Sequence, residues 1–127
     1  MLMELICMAR IGYFEGSDSS LLAKLAAERI ETVPISNAVD GHGRYVNHLK
    51  KGEVDVVIGY LHKVIPADRL HEKPSDILHA CMIHKIPVLL IAPAEVHEKA
   101  RKLLGDVGPN IIVVAPSEVE AQLKKYL

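Results

Sequence analysis

Tryptophan is absent from this chain, phenylalanine occurs once and tyrosine four times. So sparse an aromatic set argues against a base-stacking platform for nucleic acid, which needs several rings in succession. An excess of one charge is missing too: 15 basic side chains balance 16 acidic ones, and the pI is near 6.6. No electrostatic footprint for DNA, RNA or anionic lipid follows from that balance. Only two cysteines are present, Cys7 and Cys81, both in apolar stretches without metal-ligand spacing. Two buried, reduced thiols are expected rather than a disulfide. The longest apolar run, residues 86–92, is interrupted at Pro87 and followed by Pro93. It is far shorter than the ~20 residues of a membrane-spanning helix. The first residues lack the basic start and small-residue cleavage site of a signal peptide, so a cytosolic chain is expected, with no membrane partner. One glutamine and three asparagines, with charge carried by Lys, Arg and Glu, point to a heat-adapted source.

What is present is an alternation. Half of the 127 residues are apolar and 24% are charged, the balance of a folded globular chain. Residues 5–9 form a continuous apolar run, as expected of a strand covered on both faces. Residues 17–30 then place Leu21, Leu22, Leu25, Ala26 and Ile30 on one helical stripe. Residues 32–36 read as a second strand, and Pro34 suggests an edge or a bulge there. A short helix is expected over 44–51, closed by Gly52. A third strand covers 54–60, a helix 75–85 buries Ile77, Leu78, Cys81 and Met82, and a fourth strand covers 86–92. A helix over 94–104 turns Val96, Ala100, Leu103 and Leu104 inward. A fifth strand covers 110–115, and Ser117-Glu118-Val119-Glu120 reads as the capping box of a last helix.

Apolar strands separated by helices imply right-handed crossovers and a parallel sheet. The expectation is one α/β domain over residues 1–127, a three-layer α/β/α arrangement with a five-stranded, mostly parallel sheet. It would be flavodoxin-like, with strand order 2-1-3-4-5, or Rossmann-like, with order 3-2-1-4-5. Pro34 favours the first, because proline is tolerated best on an edge.

In either arrangement the strand-to-helix loops share one rim, and binding sites lie there. The loop after the first strand carries Gly16, Ser17, Ser19 and Ser20 at a helix start, where free N–H groups favour an anion. The next carries Asp40, His42 and Arg44, interleaved with Gly41 and Gly43. His62 and Lys63 follow the third strand directly, and His62, then His42, are the candidate acid–base groups. The connection from Leu61 to Pro74 is longer than such loops usually are, and a lid or subunit-interface arm is expected of it. Asp76, at the start of the following helix, is a third catalytic candidate. Seven histidines occur, but no H-E-x-x-H and no Cys-x-x-Cys, so no metal site is assigned. No cofactor is assigned either.

Two local resemblances bear on chemistry. Gly16-Ser17-Asp18-Ser19-Ser20-Leu21-Leu22 resembles the phosphate loops of flavodoxins and of the phosphocarrier subunits of sugar phosphotransferase systems. The phosphocarrier's reactive cysteine would fall at Tyr13, which excludes its covalent route, and Asp18 adds negative charge where a flavin phosphate would sit. Residues 55–88 are similar to nucleoside 2-deoxyribosyltransferases and related N-glycosidases in Asp76, Ala80, Lys85 and Pro87-Val88. That resemblance implies a nucleophilic Asp76, although those enzymes carry Glu there, with a Gly-Tyr after it. The leading expectation is a cytosolic binding protein for an anionic small molecule, a phosphorylated metabolite or nucleotide, with enzymatic action on that ligand left open. The alternatives are an N-glycosidic hydrolase or transferase and a non-enzymatic oligomeric scaffold or regulatory subunit. A homo-oligomer is expected.

Overall fold

The computed structural model describes residues 9–37, 43–65, 73–105 and 107–127. Among these residues six strands form one fully parallel sheet: β1 (Arg10–Phe14), β2 (Glu31–Ser36), β3 (Arg44–Tyr45), β4 (Val56–Tyr60), β5 (Val88–Ile91) and β6 (Ile111–Val114). Helices α1 (Ser19–Ala27), α2 (Pro74–Ile77), α3 (His79–Ile83), α4 (His97–Leu104) and α5 (Val119–Lys124) cover both faces, so the architecture is three-layer α/β/α. The strand order is β3-β2-β1-β4-β5-β6. The five longer strands thus run in the flavodoxin-like order, and the two-residue β3 extends it to the Rossmann-like one.

The two faces follow from strand parity. Phe14, Val57, Val88 and Leu90 enter one apolar cluster with Ile77, Cys81, Ala100 and Leu104. Ile11, Val56, Ile58, Leu89 and Ile91 enter the other, with Leu21 and Leu25 of α1 and Val119 and Leu123 of α5. Both sides of β4 and β5 are therefore dry, and their sequences show no polar alternation. Among the described residues no helix is long and apolar enough to cross a membrane.

Several elements depart from expectation. The first described strand is Arg10–Phe14; of the strand expected over residues 5–9, Leu5 to Met8 lie outside the described residues and Ala9 precedes β1. Arg10 reads as the end of an apolar run, yet it opens β1 at the sheet's amino edge. There its backbone N–H donates to Asp55 at 2.7 Å and its side chain pairs with Glu31. Residues 44–51 do not form an α-helix. Arg44–Tyr45 pair with Ile35 and Ser36 as β3, and Val46–His48 make one 3₁₀ turn.

Pro34 fits this edge for a stereochemical reason. Glu31 N–H donates inward to Ala9, so by alternation the nitrogen of Pro34 points outward, one residue before β3 begins to pair. Gly43, at φ +92°, runs so close to the Pro34 carbonyl that a Cβ would collide with it.

The expected helix 75–85 is split at Leu78. The side-chain amide of Asn47 enters the helical ladder, donating to the Asp76 carbonyl at 2.7 Å and accepting the Ala80 N–H at 3.1 Å. Those two groups would otherwise bond each other, and insertion into that ladder breaks a helix. The helix expected over 94–104 starts as a 3₁₀ turn, Ala94–Val96, which shifts its phase. Ala100 and Leu104 are buried, whereas Val96 and Leu103 are exposed. Before α5, Glu118 rather than Glu120 reaches back to the Ala115 N–H, at 3.3 Å.

Candidate functional site at the β1–β4 switch point

Strand order reverses between β1 and β4, since the chain leaves β1 toward β2 and later returns to β1's other side as β4. The two loops that diverge there open a crevice outside the strands' carboxyl ends. After β1 the chain turns at Gly16, with φ +85°. Ser17 is tied down at once: its hydroxyl donates to the Phe14 carbonyl at 2.7 Å, and its N–H donates to the same oxygen at 3.3 Å. Asp18 caps α1 by accepting the Ser20 N–H at 2.9 Å. Ser19 and Ser20 are exposed on the first turn. A carboxylate of the chain itself therefore satisfies part of the helix start, so the serine loop is a weaker anion cradle than its glycine and hydroxyls suggest.

After β4 the chain forms a 3₁₀ turn, Leu61–Lys63, and then plunges into the core, with Val64 fully buried. Val64 thus holds the first residues of the long connection to the protein's own core. Pro66 to Glu72, on which a lid depends, lie outside the described residues. The turn aims the Lys63 side chain back across β1. A Cβ on Gly16 would lie 3.6 Å from Lys63 Cε and 3.9 Å from Nζ, so the lysine lies over the glycine turn. Asn37, at the end of β2, donates from Nδ2 to the Lys63 carbonyl at 2.7 Å. It is the buried polar side chain among the described residues, 3% exposed. One amide thereby ties the end of β2 to the turn after β4, across the end of β1.

His62 is exposed, and its ring is stacked on Tyr60, centroids 6.0 Å apart and planes within 14°. The structure thus brings Gly16, Lys63 and His62 together with two residues that the sequence did not single out, Asn37 and Tyr60. A lone asparagine at a strand end was the available signal for the first. Nothing in the sequence marks the second.

Arg44 is directed elsewhere. Its guanidinium bonds Glu53 at 2.8 Å and the His48 carbonyl at 2.9 Å, toward the strands' amino ends. Asp76 accepts the Lys73 N–H at 3.0 Å and closes the first turn of α2, on the opposite face of the sheet from α1. No described contact joins it to His62 or Lys63. Asp40 and His42 lie outside the described residues. Among the described residues no group of three His, Cys, Asp or Glu is arranged to hold a metal ion. Farther along the same rim a groove of about 290 Å³ separates the start of α1 from Pro116 and Ser117. Lys24 and Glu120, bonded at 2.7 Å, line it.

No protein-family model matches this chain, and no curated protein matches it in sequence.

Proposed function

We propose that the chain is a cytosolic binding protein for a small anionic metabolite, a phosphorylated compound or nucleotide, held where β1 and β4 diverge. The observation that carries this reading is Lys63 lying over the positive-φ turn at Gly16. An ammonium beside a glycine turn at a topological switch point offers a point charge and close backbone approach to a phosphate. Asn37 supports the reading, because a buried amide fixes the turn that carries the lysine. Self-association is part of the proposal, supported by Ile83 and Leu103, which are 59% and 51% exposed on the α3–α4 side. Light scattering tests it.

The binding test is a titration with inorganic phosphate, following backbone amide shifts of Gly16 to Ser20 and of Lys63. Saturable shifts at millimolar phosphate are expected, and Lys63→Met weakens them about ten-fold, the loss of one charge-assisted contact. Amides that stay still at millimolar phosphate, or a Lys63→Met variant with unchanged affinity, refute the proposal.

A further inference from the structure

A phosphate partner for Lys63 leaves the organic part of the ligand unassigned, and two rings at the same rim supply an assignment. Tyr60 closes β4 and packs, half-buried, against the cluster that α1 and α5 cover. His62 lies two residues on, exposed, with its ring offset over the tyrosine at 6.0 Å and 14°. Tyr60 occupies one side of the imidazole and fixes its plane. His62 is exposed, and no hydrogen bond among the described residues holds its ring. Lys63, the next residue, carries its ammonium to Gly16.

From this juxtaposition we infer that the ligand is a mononucleotide, its base stacked on His62 as the outer layer of a Tyr60–His62–base column and its phosphate at Lys63. The inference rests on the phosphate reading above and adds the base to it. A ring pair of this kind serves one base. Strand binding needs several platforms in succession, which accords with the few aromatic residues and balanced charge of the chain. In this role the histidine offers a ring face rather than a proton. Stacking depends on the area of the π face more than on hydrogen-bonding edges, so purines bind more tightly than pyrimidines.

The experiment compares inorganic phosphate, ribose 5-phosphate and AMP on the full chain, by calorimetry and by the ring-proton shifts of His62. AMP is expected to bind about ten-fold more tightly than ribose 5-phosphate, within the range of one stacked base. It should also move the His62 ring protons upfield. His62→Ala should lower AMP to the affinity of ribose 5-phosphate and leave the latter unchanged, whereas His62→Phe keeps the preference for AMP. His62 is exposed, so both variants fold, and their circular dichroism checks this. Equal affinity for AMP and ribose 5-phosphate overturns the base shelf while the phosphate reading stands. Failure of all three probes to bind overturns both.

Discussion

Gly59→Ala places a methyl group where the structure has no room for it. Gly59 lies in β4, beside β1, and an added Cβ would stand 2.5 Å from Phe14 Cδ2, 2.9 Å from its Cβ and 3.1 Å from Cγ. Carbon atoms in contact prefer about 3.5–4.0 Å, so the ring and its base would have to retreat by roughly 1 Å. Phe14 is 1% exposed and sits in a packed cluster with Ile35, Val57 and Val64. Its Cβ is fixed by the strand, so a rotamer change does not relieve the clash. Overpacking of this kind costs about 1–3 kcal/mol. With a urea m-value of about 2 kcal/mol/M for a chain of this size, the urea midpoint should fall by about 0.5–1.5 M. Phe14→Ala removes the Cγ and Cδ2 atoms that are in the way. The double variant should therefore be more stable than the sum of the single effects, by about 1 kcal/mol. Phe14 ends β1 and Gly59 is next to the last residue of β4, the strands that lead to Gly16 and Lys63, so Gly59→Ala should weaken phosphate binding. An unchanged midpoint, or a strictly additive double variant, would refute the packing argument.

Asn37→Leu strips the Lys63 carbonyl of its partner at 2.7 Å, and a destabilisation of about 1–3 kcal/mol is expected in urea melts. Weaker phosphate binding should accompany it, and wild-type behaviour in both measurements would show that the amide positions nothing. Arg29 and Lys85 end α1 and α3 with φ +65° and +54°, and the following N–H of each reaches back to Leu25 and Cys81 respectively. Glycine relieves that left-handed strain, so Arg29→Gly and Lys85→Gly should each raise thermal stability, by up to about 1 kcal/mol, rather than lower it. The α1–α5 clasp gives a pH signature. A hydrogen bond from Lys24 holds the Glu120 carboxyl below its ordinary range, and the same bond holds the Lys24 ammonium above its own. The carboxylate's stabilisation is present above the ordinary carboxylate range and lost as pH falls through the lowered value. The lysine's is present below the ordinary lysine range and lost as pH rises through the raised value. Both groups are solvent-accessible, so the effect is small and salt-screened. Melting profiles of Glu120→Gln against the parent should diverge between these limits at low salt and converge outside them.

Covering both faces of the sheet with helices requires uninterrupted apolar strands, and that requirement is visible along the chain. Residues 54–60, 86–92 and 110–115 announce β4, β5 and β6 for this reason, and the alternation with helices implies the parallel sheet and the rim where the polar loops gather. Pro34 likewise placed β2 near an edge, because a missing N–H is a local property. The sequence alone also carried Gly16, His62 and Lys63 to that rim, as residues directly following strands. Tertiary contacts decided the rest. β1 begins with Arg10 because Asp55 and Glu31, far along the chain, meet it at the sheet's amino edge. The helix at Leu78 breaks because Asn47, some thirty residues earlier, enters its ladder. Only the adjacency of β1 and β4 lays Lys63 over Gly16, and only the end of β2 brings Asn37 to the Lys63 carbonyl. A periodic pattern records which side of a strand or helix is dry, but not which distant polar group will reach its ends.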